Sequence, residues 1–335
     1  MIQTVLGPIH PEELGVTSMN EHLVADSAKF LRPAREPAPA EPRMAVEHLG
    51  FVRWNYLGLR DNLVLDEPEV TVAELRHAVG LGQDAVVEVT SFGMGPDHAA
   101  LPAISRASGM QIALAYGTYI ARSLPDWVLT ATEDELEQRF HTALEVAVPG
   151  TAYRAAMLGL LGTSAEIAPV ERRALRAAAR AAARAGAAVS IRLDASARLG
   201  PTVLRILTDE GLSPDRVVFS NVDKVMDVDY VAEMGAAGAT LEIAFGEESY
   251  FGDGSKDATD AERLRFLLAL LERDPDHSIV LACSVWTKGQ LGAYGGMGYG
   301  HLVGRIVPIL ERQGVGPERL HEMLVARPRV LLDRP

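Results

Sequence analysis

The sequence predicts a (β/α)8 barrel formed as one domain over residues 1–335. Two observations carry that reading: eight short aliphatic runs alternate with longer segments of helical periodicity, and the chain length suits eight such repeats. A third counts against the doubly wound alternative, since no Gly-x-Gly-x-x-Gly turn follows the first run.

Residues 16–19 form the first expected strand, and a Pro-rich stretch at 32–43 (RPAREPAPAEPR) follows it. So many prolines exclude a regular helix or strand, so this stretch reads as an excursion at the edge of the pocket. A helix is expected over 70–81, then strands at 85–90 and 111–116, a helix over 133–146 and a strand at 156–161. The Ala-rich helix 170–185 stops at Gly186 and leads to a strand at 188–193, then another at 216–220. A helix at 228–234, a strand at 240–245, a turn-rich surface loop at 246–257 (GEESYFGDGSKD), a helix over 260–273 and a strand at 278–282 come next. The last helix spans 302–313 and stops at Gly314.

Composition narrows the function. The formal charge of −13 argues against nucleic acid or an anionic membrane as partner, and 48% hydrophobic residues suffice for a substantial core. No run is long and apolar enough to cross a bilayer and no signal-peptide pattern opens the sequence, so the cytoplasm is the simplest address. Cys283 is the only cysteine, which excludes an internal disulfide and any multi-cysteine metal cluster. A small-molecule substrate is the expected partner, the sequence leaves a homodimer open, and no motif requires a cofactor.

Residues 4–26 read TVLGPIHPEELGVTSMNEHLVAD. On a strand Asn20 and His22 point the same way and Glu21 the other. A His-x-His pair in that position would chelate a metal, whereas Asn-x-His is half a chelate. With segments 155–185 (AAMLGLLGTSAEIAPVERRALRAAARAAARA), 288–301 (KGQLGAYGGMGYGH) and 324–332 in matching order, the chain resembles the phosphotriesterase-related family of the amidohydrolase superfamily. The resemblance implies a (β/α)8 barrel whose two-metal centre, usually zinc, activates a hydroxide to hydrolyse phosphotriesters, lactones or amides. It also implies ligands from a His-x-His on strand one, a carboxylated Lys or a Glu on strand four, a His on each of strands five and six, and an Asp on strand eight.

At those positions the sequence has Asn20, His22, Leu160, Arg192, Asn221 and Ser284, and only His22 matches. A permanent guanidinium at 192 opposes a divalent cation. The remaining histidines fall in helices, loops or strand starts, so no metal ligands are assigned. Asn20, His22, Arg192, Asn221 and Ser284 are therefore the expected catalytic cluster, facing the barrel interior by strand alternation. His22 is the expected general acid or base because an unperturbed imidazole titrates near neutrality. Arg192 is expected either to clamp a substrate anion or to pair with Asp194 or Asp223. Tyr119, Asp194, Asp223, Trp286 and Lys288 are the expected substrate-binding residues, and Cys283 is expected in the core. Pro96, where relatives carry an Arg, is a further sign of a remodelled pocket.

Three functions are weighed. The favoured one is a metal-independent enzyme performing hydrolysis, elimination, isomerisation or cyclisation on a small metabolite. A catalytically inactive binding protein is the alternative. An ordinary two-metal lactonase or phosphotriesterase comes last, because fold similarity does not carry activity once the site residues have changed.

Overall fold

The computed structural model describes residues 1–251 and 255–334. Eight parallel strands form one sheet: β1 (Thr17–Glu21), β2 (Ala85–Glu88), β3 (Gln111–Tyr116), β4 (Met157–Gly162), β5 (Val189–Arg192), β6 (Val217–Ser220), β7 (Thr240–Ala244) and β8 (Ile279–Ala282). They neighbour one another in sequence order. Backbone bonds from Ser284 N to Asn20 O (2.9 Å) and His22 N to Val285 O (3.0 Å) draw the first and last strands together at their C-terminal ends. The architecture is a (β/α)8 barrel.

Among the described residues one helix of eight or more residues follows each of the first seven strands: α1 (Pro68–Gly80), α2 (Leu101–Ser108), α3 (Glu133–Glu145), α4 (Pro169–Ala185), α5 (Gly200–Asp209), α6 (Val228–Ala236) and α7 (Asp260–Arg273). After β8 the chain is helical through Leu302–Ile306 and Val307–Arg312. The sequence periodicity did not identify α2 or α5. Helix α2 is only eight residues long, and α5 opens on Gly-Pro and carries the β-branched Thr202, Val203 and Ile206, which lower helix propensity.

Alternation along the strands builds two cores. Ala85, Val87, Val89, Ala113, Ala115, Ala188, Val218 and Val280 fill the barrel interior, closed from below by Ile2, Leu14, Leu331 and Leu332. The opposite strand faces, including Val86, Ile112, Val189, Ile191, Leu241 and Ile243, pack with the helices. Small alanines in the lumen leave room for the larger polar side chains at its upper end. Burying the lining is stabilising at roughly 25 cal/mol per Å2 of apolar surface.

Glu21 points away from the lumen and closes the seam: its carboxyl accepts from Cys283 N and Val285 N, both at 2.9 Å. Glu88 acts similarly on β2, accepting from Leu23 N (2.6 Å) and Thr90 N (2.7 Å). Burial pushes these carboxyls up, Glu21 to about 8 and Glu88 to about 7. Cys283 is buried in the outer core. No helix among the described residues is long and apolar enough to cross a membrane.

The Pro-rich stretch is irregular but anchored. Arg35 lies over Trp54 with its guanidinium carbon 5.2 Å from the ring centroid, and Arg32 N donates to Leu57 O at 2.8 Å. The loop of residues 246–257 follows β7, and its residues 252–254 lie outside the described residues.

Candidate active site

At the C-terminal ends of the strands lies a pocket of about 210 Å3, below the roughly 300–1,000 Å3 of sites that hold drug-sized ligands. His22, Arg192, Asn221, Ser284, Tyr119 and Trp286 reach its wall from five different strand ends and loops, and Leu160 supplies an apolar patch. Phe30 and Leu57, which flank the Pro-rich stretch on either side, line the pocket, whereas no residue of 32–43 does, so the expectation that this stretch edges the pocket is not met.

Parity explains part of this convergence. Arg192 follows Ser190 on the lumen face of β5, and Ser284 follows Val280 and Ala282 on the lumen side beyond β8. Asn221 does not obey it: Ser220 occupies the lumen position, and a φ of 52° turns the next residue back toward the pocket. Ser284 has a φ of 51°. Such left-handed backbone is unfavourable for residues other than glycine, least so for asparagine, and it collects at functional sites. At Asn20 the β1–β2 register shifts between Ser18 and Glu21. Asn20 is fully buried beneath the pocket rather than on its wall, donating to Asn221 Oδ1 (3.1 Å) and Glu242 Oε2 (2.9 Å).

Three expected substrate contacts are not on the pocket wall. Asp194 accepts from Ser196 N at 2.9 Å in a local turn. Asp223 is sequestered by Arg263 (2.9 Å) and Ala244 N (3.0 Å). Lys288 is held 2.7 Å from Glu67, 2.9 Å from Asp66 and 3.0 Å from Asp61, fastening the loop after β8 to the excursion after β1. Arg192 pairs with neither Asp194 nor Asp223. Its guanidinium donates to Leu193 O at 2.6 Å, and among the described residues no carboxylate forms an ion pair with it.

Burial also corrects the expectation for His22. The imidazole is 2% exposed and 3.0 Å from Thr90 Oγ1 through Nδ1, and desolvation drives its pKa down to about 3. It is therefore neutral at physiological pH, with Glu247 the one nearby charge favouring the protonated form. In a pH titration followed by NMR, the His22 ring resonances are expected to stay constant from about pH 8 to pH 5. A midpoint near 6.5 would overturn this placement. Since an unfolded His protonates below about 6.5, His22 contributes stability that is present above that pH and lost as pH falls toward 3.

Sequence reasoning missed four residues. Arg122 stands at the rim over the Phe30 ring, 5.2 Å from its centroid, and burial lowers its pKa. Lys224 and Glu247 both reach the pocket and form an ion pair, with Asp257 as a second partner of Lys224. Trp286 Nε1 donates to Glu247 at 2.9 Å, and these donors hold Glu247 ionised. The turn-rich loop after β7 is thus a supplier of pocket residues. Glu242, fully buried on β7, did leave a signal: it is a lone carboxyl inside the run TLEIAF.

A family model described as the phosphotriesterase family matches residues 1–332. The chain belongs to the phosphotriesterase family. A phosphotriesterase-related protein of Nematostella vectensis is 31% identical over 343 residues, covering 99% of this chain and 98% of that protein. An N-acetyltaurine hydrolase of Tetraodon nigroviridis is 30% identical, covering 98% and 96%. The crystal structure of a resiniferatoxin-binding protein from Rhodobacter sphaeroides superposes with a TM-score of 0.94 at 30% identity, covering 99% of this chain and 94% of that one.

The two-metal centre expected of this family can be tested against the residues present. Asn20, Leu160, Arg192, Asn221 and Ser284 stand where the resemblance places ligands, and one of them is a cation and another a hydrocarbon. Asn20 and Asn221 bond to each other and to Glu242 instead. Among the described residues no three His, Cys, Asp or Glu side chains converge to hold a metal ion. The donor set does not fit the group.

Proposed function

We propose that this protein is a metal-independent hydrolase of a small anionic ester, lactone or amide. The observation carrying the reading is Arg192, a guanidinium on the wall of a small pocket with no carboxylate partner among the described residues. Arg122 adds a second cation at the rim. A planar fork of this kind binds carboxylate, phosphate or sulfonate through paired hydrogen bonds. The family and the relatives named for hydrolysis support an enzyme acting on a small molecule.

In this reading Arg192 holds the substrate's anionic group, while the Asn221 amide and the Ser284 hydroxyl offer hydrogen bonds to the carbonyl. His22 is a neutral imidazole with Nδ1 fixed by Thr90; burial makes it a weak base, so it takes up a proton from an attacking water only as the transition state develops. Glu247 favours the imidazolium that results. The catalytic roles of Asn20, His22, Arg192, Asn221 and Ser284 belong to this proposal, with Asn20 acting through Asn221.

The test is a panel of N-acyl, ester and lactone compounds, each paired with a congener lacking the anionic group, assayed with excess chelator. Turnover is expected for the anionic members only and unchanged by the chelator. Turnover that requires added zinc or manganese, or that ignores the anionic group, would overturn the reading. Elemental analysis after expression in zinc-supplemented medium is expected to find well under one metal equivalent per chain, and two equivalents would refute the site assignment.

A binding protein without turnover is the second reading, favoured by the close superposition on a protein named for binding. A tight ligand that is recovered unchanged, with no product from any congener, would select it.

A further inference from the structure

Beneath the pocket lies a buried group with no role so far. Glu242 on β7 is fully buried, and its Oε2 accepts from Asn20 Nδ2 at 2.9 Å and from Asn221 N at 3.2 Å. Its other oxygen, Oε1, meets no donor at full hydrogen-bond geometry among the described residues, the Ser220 hydroxyl being the one further donor beside the carboxyl, and Asn20 Oδ1 has no partner either. Two orphaned oxygens on two side chains already joined by one hydrogen bond are costly to bury. A single proton on Glu242 Oε1, donated to Asn20 Oδ1, satisfies both and completes a ring in which acid and amide each donate once.

We propose that Glu242 is a positioning residue: protonated, it closes a two-bonded acid–amide pair with Asn20, which in turn fixes Asn221 with its Nδ2 donor toward the pocket. Asn20 Nδ2 spends one hydrogen on Glu242 and the other on Asn221 Oδ1. That contact decides which end of the Asn221 amide is committed to the interior, leaving Nδ2 as the end available to a ligand. Asn221 is next to Ser220, which pairs with Arg192 across β5 and β6, so the donor and the guanidinium belong to one wall. A neutral pair also avoids leaving a bare charge where relatives would carry metal ions.

The surroundings favour the proton. Burial is the largest influence and pushes Glu242 up to about 7, and the charge of Asp223 acts in the same direction. The charges that act on Glu242 include two carboxyls, Asp223 beyond β6, itself paired with Arg263, and Glu21 on the outer side of β1. A carboxyl raised in the folded state contributes stability that is fully present below its unfolded value near 4.5 and lost as pH rises through 7.

The experiment compares the parent with Glu242→Gln and Glu242→Ala. Glutamine presents an acceptor oxygen and an NH2 group, one of whose two N–H bonds takes the place of the acid proton, so it reproduces the pair without titrating. The chain has only four asparagines, Asn20, Asn55, Asn62 and Asn221, so labelling with 15N-asparagine gives four resolvable side-chain amides. In the parent, the Asn20 and Asn221 amide signals are expected to move together with a shared midpoint near pH 7, while Asn55 and Asn62 stay fixed. In Glu242→Gln all four stay fixed, and the melting temperature matches the parent at acid pH with less of the alkaline decline. Glu242→Ala is expected to melt lower at every pH. Stationary Asn20 and Asn221 signals in the parent, equal movement in Glu242→Gln, or a Glu242→Gln protein that melts far below the parent at acid pH would each overturn the proposal.

Discussion

Arg263→Ala is expected to destabilise the protein by about 3–5 kcal/mol, the cost of removing one partner from a buried ion pair. Arg263 projects from α7, is 1% exposed, donates to Asp223 at 2.9 Å and to Glu247 O at 2.8 Å, and lies 3.4 Å from Asp260. Asp223 is itself fully buried, so the truncation strands a carboxylate in a place water does not reach. Guanidinium denaturation measures the loss. The companion variant Arg263→Met with Asp223→Asn removes both charges and is expected to recover a large part of it, because no bare charge is left behind. A single variant that unfolds at the parent's midpoint would show that water or Asp260 compensates for the lost guanidinium. Asp260 retains His301 at 2.6 Å in either case.

Arg192→Ala is expected to act on binding instead, raising KM roughly 10- to 100-fold, the scale of hydrogen bonds to a charged group. Its effect on the melting temperature is expected to be small, since no ion pair among the described residues is broken and the side chain is only partly buried. Arg192→Lys should recover little, because an ammonium lacks the planar fork. A marked fall in melting temperature with unchanged KM would assign Arg192 to the scaffold. The contrast between the two arginines is the sharper result: the sequence offered Arg192 as a partner for Asp223, and the structure gives that task to Arg263, forty residues further along the chain from Asp223.

Several features could be read before any coordinates were available. The eight strands lie close to their expected positions, with ends differing by a residue or two, because strands buried on both faces leave short continuous aliphatic runs in the sequence. Gly186 ends α4 in a left-handed conformation with a φ of 63°, as its place after the Ala-rich run implies. The substitutions at the metal positions were legible because each is a change of chemistry at a fixed place in a motif. Helices α2 and α5 were not, although apolar residues recur at helical spacing in both: each is short and carries a proline in its first turn, which in sequence reads as a turn.

Residue types and their order determined the barrel and the family, and placed polar and apolar side chains other than histidine and carboxylate at most positions where the resemblance expects ligands. Tertiary structure decided which of the polar residues share a space. Asp194, Asp223 and Lys288 sit near the strand ends in sequence yet are bound elsewhere, while Arg122, Lys224 and Glu247 reach the pocket from loops that periodicity cannot orient. The ionisation of His22 was likewise undetermined by the sequence, because desolvation depends on what packs around the ring and not on its neighbours along the chain. The physical reason is common to all of these: strand patterns are set by local geometry, whereas ion pairing and burial are set by contacts between residues far apart in sequence.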